Sequence, residues 1–124
     1  MTRTILVVED TDVGRDALEA ALARLPGFTV HAVATAEEAL TCLAAEDVCA
    51  LVTDLNLGEM DGFELIAWVR SHPQRSLLPV VVISGNSDEQ AQARAAGIGA
   101  NAYFTKPYSP AAVCGKLEQL IDVY

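Results

Sequence analysis

Several residues able to handle a cation and a phosphoryl group stand just past the ends of separate apolar runs. Glu9 and Asp10 follow ILVV, Asp54 follows CALVT, Ser84 follows VVVI, and Lys106-Pro107 follows AYFT. Strands that share a direction bring such residues to one edge of a parallel sheet, the edge where open α/β proteins bind ligands. Two like charges about 4 Å apart repel by about 4 kcal/mol at an effective dielectric of about 20. Three carboxylates held together therefore call for a cation. An all-oxygen set suits magnesium, which keeps several waters and accepts a substrate phosphate. The carboxylate of Asp54 can act as a nucleophile and carry an aspartyl phosphate. That chemistry depends mostly on positioning and charge neutralisation. Lys106 offers a mobile ammonium for phosphate oxygens, and Ser84 offers a hydroxyl. Pro107 is placed to follow a cis bond that fixes the Lys106 loop. Any one of these acids alone is better read as a cap of its own turn or helix; three at converging strand ends are not.

The elements that must position these residues alternate along the chain. Thr4–Val8, Val48–Thr53 and Val80–Ile83 are continuous apolar runs, the pattern of strands covered on both faces. Phe28–Val33 includes His31 and suits a strand near an edge, and Ala102–Phe104 is a short fifth strand. Val13, Ala17, Ala20, Ala21 and Leu25 repeat at helical spacing, with Pro26-Gly27 closing that helix. Thr35 with Glu38, and Ser87 with Gln90, have capping-box spacing before two further helices. Asp61-Gly62 turns into Phe63–Ser71, which His72-Pro73 ends, and Gly97 closes the alanine-rich helix. Ser109-Pro110 opens the last helix, whose inward stripe is Val113, Leu117, Leu120 and Ile121. Five βα units in succession predict a parallel sheet with right-handed crossovers and helices on both faces.

At 124 residues the chain is one domain by length, and it buries about two-thirds of its unfolded surface. A hydrophobic content of 52% with 20% charged residues describes a soluble globular protein. The net charge of -9 and the presence of only two lysines, Lys106 and Lys116, argue against nucleic acid as a direct partner. Cys42, Cys49 and Cys114 are odd in number, form no CxxC pair and sit within apolar or helical patterns. They read as buried reduced thiols rather than a zinc site. Met1-Thr2-Arg3 leads straight into an apolar run without a signal peptide. No segment approaches the length of a membrane span, so the expected location is cytoplasmic. His31 and His72 read as surface or loop residues, and Trp68 and Tyr108 as packing. The segment Ala91–Ala96 has few large anchors and reads as a mobile element.

Along essentially its whole length, residues 1–124, the chain resembles the receiver domain of two-component response regulators. The stretches that carry the resemblance are ILVVED, LVTDLNLGEMDGFEL, VVVISG and YFTKPYS. The resemblance implies a flavodoxin-like, doubly wound α/β fold with five helices and sheet order 2-1-3-4-5. It implies that Asp54 accepts a phosphoryl group from phosphohistidine on a sensor histidine kinase or a histidine phosphotransfer protein. Magnesium, with manganese as a substitute, would be held by Asp10, by Glu9 mostly through water, by Asp54 and by the backbone carbonyl of Asn56. Ser84 would turn towards the phosphate, Tyr103 would swing inward, and Lys106 would pair with Asp54 before phosphorylation and with the phosphate afterwards. Asn56 and Asn86 occupy positions that tune the lifetime of the phosphorylated state. The face from the fourth helix through the fifth strand to the fifth helix would then gain or lose a partner, either a downstream protein or a fused output domain. Gly58 departs from the proline common at its position, which implies a more mobile loop. Ser84 replaces the commoner threonine.

Three other readings compete. An aspartate-nucleophile phosphatase would want a second acid two residues beyond Asp54, where Asn56 stands. A phosphorylation-independent protein-interaction module would keep the fold without the chemistry. A flavin- or nucleotide-binding protein would want a glycine-rich loop after the first strand, where Glu9-Asp10-Thr11-Asp12 stands instead. A switch of this kind is not an enzyme beyond its own phosphorylation and dephosphorylation. It works as a monomer or a phosphorylation-dependent dimer, either free-standing or as a piece of a transcription regulator or hybrid kinase.

Overall fold

Val, Ile and Leu dominate the three inner strands because both faces of each are covered by helices. In the computed structural model, which describes residues 3–123, five strands alternate with five helices. They are β1 (Arg3–Val8), α1 (Asp12–Leu22), β2 (Phe28–Val33), α2 (Ala36–Ala45), β3 (Val48–Thr53), α3 (Gly62–Ser71), β4 (Val80–Ser84), α4 (Glu89–Gly97), β5 (Ala102–Thr105) and α5 (Pro110–Val123). Met1 and Thr2, read above as the lead-in to the first strand, lie outside the described residues. All strand pairs are parallel, in the order β2-β1-β3-β4-β5. This is the doubly wound sheet expected from the alternation, with β2 at one edge and β3 at the centre.

Alternate residues of each strand enter two separate cores. Leu6, Val8, Leu51, Val80 and Val82 pack with Leu43, Leu65, Ile66 and Val69 on the face covered by α2 and α3. Ile5, Val7, Val52, Val81 and Ile83 pack with Leu18, Leu22, Val113, Leu117 and Ile121 on the face covered by α1 and α5. Each such side chain contributes about 1.5–3 kcal/mol on burial. Truncating a central one, as in Leu51→Ala, would cost about 2–5 kcal/mol because a cavity remains.

Local signals hold in most places. Thr35 caps α2, and Asp61 and Glu64 form the full capping box of α3. The hydroxyl of Ser109 accepts from the Ala112 amide at 3.2 Å at the start of α5. Four expectations need correction. The α1 stripe is Leu18, Ala21 and Leu22, while Val13 is 82% exposed and Ala17 and Ala20 also face outward. That helix ends at Leu22, and Leu25 is buried from the following turn. The cap of α4 is Asp88, whose carboxylate accepts from the Gln90 amide, rather than Ser87. Gly97 is the last residue of α4, and the left-handed turn falls at Gly99, with φ +113°. Among the described residues, no helix is long and apolar enough to cross a membrane.

Candidate functional site

Register decides which side chains meet. In β1 and β3, Val8 pairs with Thr53, and the ladder continues one step as the Asp54 amide donates to Val8 O at 3.0 Å. Glu9 and Asp54 therefore leave the sheet side by side. On the other flank Ser84 pairs with Thr105, and the Lys106 amide donates to Ser84 O at 2.8 Å. The four strand ends thus deliver Glu9, Asp54, Ser84 and Lys106 to one edge.

The Lys106 ammonium stands between two carboxylates, 2.7 Å from Asp54 Oδ2 and 2.8 Å from Glu9 Oε2. Asp54 is 5% exposed and Glu9 1%, so both acids are nearly desolvated. Burial works to lower the Lys106 pKa, but the hydrogen bonds and charges of Asp54 and Glu9 outweigh it and hold the ammonium above its ordinary range. The other Asp54 oxygen, Oδ1, accepts from the Leu55 amide at 2.6 Å and the Asn56 amide at 3.3 Å. Asp10 is exposed on the rim, and oxygens of Glu9, Asp10 and Asp54 lie within 4.8 Å of one another. Three carboxylates against one ammonium leave two negative charges, and the all-oxygen set with an open outer side fits a hard divalent cation and its waters.

Ser84 is fully buried, and its hydroxyl accepts from the Asn86 amide at 3.1 Å. Tyr103, half-buried on β5, donates its phenolic hydrogen to Asn86 O at 2.6 Å. The side chain of Asn86 accepts from the Asp88 amide at 2.9 Å, so it shapes the turn into α4. Asn56 is exposed beside Asp54. The Lys106–Pro107 bond is cis. Gly58 adopts φ +94°, which proline, fixed near a negative φ, cannot reach. That conformational demand accounts for glycine there.

The sequence reading passed over four residues that build this site. The amide and hydroxyl of Thr11 both donate to Glu9 Oε1, at 3.3 and 3.1 Å, and orient that acid. Arg15, paired with Asp12, donates to the Glu9 carbonyl at 3.0 Å. A Cβ on Gly14 would lie 2.7 Å from Thr11 Oγ1 and 2.8 Å from Glu9 Cδ, so glycine lets α1 approach the acid without displacing either side chain. A Cβ on Gly62 would collide with the Asp54 carbonyl oxygen and sit 2.8 Å from Leu55 Cα. The Gly62 amide also donates to Leu55 O at 2.9 Å, closing the loop that carries Asn56. Beside Lys106, a groove of about 480 Å³ runs between α1 and α5, bordered by Val13, Ala17, Pro107 and Tyr108. Burial pushes the Tyr108 hydroxyl up, against the opposing charge of Lys106.

Known proteins share this arrangement. A family model described as the response regulator receiver domain matches residues 5–118. The transcriptional regulatory protein GltR of Pseudomonas aeruginosa is 32% identical over 96% of the chain and 49% of its own length. The chain thus spans about half of that relative. A CheY homolog of Campylobacter jejuni, a chemotaxis protein, is 31% identical over 94% of the chain and 91% of its own length. The crystal structure of a putative response regulator from Chloroflexus aurantiacus superposes with a TM-score of 0.91 at 30% identity, covering 98% of this chain and 99% of that one. The receiver domain of a sensor histidine kinase from Pseudomonas aeruginosa superposes at 0.87 with 25% identity, covering 98% and 99%. That structure holds a magnesium ion in its active-site cleft. Since the matched residues 5–118 take in the whole strand-end cluster, all of β2 to β5 and most of β1, the chain belongs to the response regulator receiver domain family.

Proposed function

We propose that this receiver domain, residues 1–124, is a phosphorylation-driven switch with Asp54 as its phosphoacceptor. The observation that carries the reading is the buried Asp54 carboxylate, tied to backbone amides through Oδ1 and to a mobile ammonium through Oδ2. Oδ1 is held by two main-chain donors, which leaves Oδ2 as the oxygen to attack. In the step, Oδ2 bonds to phosphorus, the bond from phosphorus to the donor's imidazole nitrogen breaks, and the leaving ring takes a proton from solvent. Lys106 gives up Asp54 and takes the phosphoryl oxygens, and Ser84 turns its hydroxyl to them. Glu9, Asp10, Asp54 and the Asn56 carbonyl would hold magnesium, with manganese as its substitute, which would neutralise charge on the transferring group.

The turn after Ser84 carries the change outward. Asn86 joins Ser84 to Tyr103, so displacing Ser84 loosens the tether of Tyr103, and the α4–β5–α5 face is altered for a downstream protein or output domain. Asn56 and Asn86, which flank the site, set the lifetime of the phosphorylated state. The phosphodonor, a sensor histidine kinase or histidine phosphotransfer protein, approaches over the apolar groove beside Lys106.

Intact mass after incubation with acetyl phosphate tests the reading. The expected result is a magnesium-dependent gain of one phosphoryl group that Asp54→Asn abolishes. Undiminished phosphorylation of Asp54→Asn would sink the site assignment. Should acetyl phosphate fail as donor, beryllofluoride binding at Asp54 would separate a kinase-restricted receiver from a phosphorylation-independent interaction module.

A further inference from the structure

We propose that His31, Cys42 and Glu46 form a second cation site, one suited to a borderline divalent ion such as zinc. The three come from two packed segments: His31 from the edge strand β2, Cys42 from the last turns of α2, and Glu46 from the residue that caps that helix. Cys42 and Glu46 are four residues apart, which places them on one side of that helix end. A ring nitrogen of His31, Nδ1, lies 2.8 Å from Glu46 Oε2 and 3.6 Å from Cys42 Sγ. One donor atom from each residue lies within 4.8 Å of the other two.

One of those separations already suits a tetrahedral ion, and the others lie within a small side-chain adjustment of it. Zinc bonds of about 2.0–2.3 Å to nitrogen, oxygen and sulfur put neighbouring donors about 3.3–3.6 Å apart. The nitrogen–sulfur pair already stands at that distance. The nitrogen–oxygen pair needs to open by about half an ångström to reach it. Sγ is nearly equidistant from the two ring nitrogens, at 3.6 and 3.8 Å, so it lies along neither lone pair. Loading the site therefore includes a turn of the imidazole. The same geometry speaks against a nucleophilic thiol activated by histidine, since no ring nitrogen is aimed at the sulfur. Burial, then the hydrogen bond and charge of Glu46, push the Cys42 thiol up, so it is not activated in that sense.

Thiolate, imidazole and carboxylate together select zinc-like ions over magnesium. Cys42 is buried, whereas His31 and Glu46 reach the surface, which leaves the fourth position to water. The ion would displace the thiol proton and clamp the edge strand to the end of α2. Because α2 runs back from the C-terminal to the N-terminal edge of the sheet, this site is separate from the Asp54 cluster. It does not depend on the phosphorylation reading.

Cobalt(II) titration of the full chain, with excess magnesium present to fill the acidic cluster, provides the test. One equivalent should give a thiolate-to-cobalt charge-transfer band that Cys42→Ser abolishes. His31→Gln and Glu46→Gln should each weaken binding by about tenfold or more. Cys49→Ser, Cys114→Ser and Asp54→Asn should keep the band. Cobalt bound without a sulfur band, a band that survives Cys42→Ser, or one lost in Asp54→Asn would overturn the site. A second measurement uses the unaltered chain: zinc should slow alkylation of Cys42 by iodoacetamide by about tenfold or more. An unchanged rate would overturn the proposal whatever the variants do.

Discussion

Tyr103 and Ser84 are joined through one peptide unit, that of Asn86, whose amide donates to the Ser84 hydroxyl and whose carbonyl accepts from the Tyr103 phenol. A buried hydroxyl at the site and an aromatic ring on β5 thus share a single turn of main chain. Tyr103→Phe removes the outer bond and keeps the ring. It should lower stability by about 0.5–1.5 kcal/mol while leaving Asp54 phosphorylation intact. Denaturant unfolding and intact mass would show both, and the Asn86 amide resonance should shift towards that of an unrestrained turn.

Lys106 supplies the only ammonium in contact with Glu9 and Asp54 among the described residues. Lys106→Met leaves two desolvated carboxylates facing each other. The expected loss is about 1–3 kcal/mol at neutral pH, the cost of depriving two buried carboxylate oxygens, Glu9 Oε2 and Asp54 Oδ2, of their donor. Magnesium should then raise the melting temperature of the variant more than that of the natural chain, because it restores the missing positive charge. Equal shifts would place the ion elsewhere.

Alkaline pH should remove the stability that Lys106 contributes. Its native pKa is raised above the ordinary 10.5. The stabilisation is therefore complete below 10.5 and lost as pH climbs through the higher native value. Unfolding free energies measured from neutral to strongly alkaline pH should converge for the natural chain and Lys106→Met at the alkaline end.

Three glycines predict three different outcomes. Gly62→Ala drives a methyl into main-chain atoms and should cost about 3 kcal/mol or more. Gly14→Ala meets side-chain atoms that can shift, so about 1–3 kcal/mol is expected, together with weaker magnesium binding as Glu9 moves. Gly115, exposed within α5 and free of neighbours, should gain about 0.5–1 kcal/mol on substitution by Ala. Urea midpoints for the three variants would rank them.

The strand-end acids and Lys106 were legible because apolar runs mark where strands stop, and parallel strands stop together. The supporting residues were not. Gly14 is required by Thr11 and Glu9, and Gly62 by Asp54 and Leu55, all a few residues upstream, but the contacts exist only once the chain has turned back on the strand end. The α1 stripe was displaced because alanines carry little apolar signal, and Val13 points to the groove beside Lys106 instead of the core. The donor set of His31, Cys42 and Glu46 has no motif spacing, since strand and helix bring it together only after folding. Ser87 and Asp88 are both competent caps, and one residue of register decided between them.

The loop closed by the hydrogen bond from Gly62 to Leu55 works as an eyelet stitched shut at its neck. Leu57, buried, anchors its first half, while Gly58 and Glu59 stand exposed at its tip. Strain from added residues at that tip would end at the stitch and leave Asp54 in place. A short epitope or a fluorophore-bearing insert between Gly58 and Glu59 would thus ride on the loop that follows Asp54 without disturbing its carboxylate. The tip is a natural mounting point for a reporter of the protein's own state.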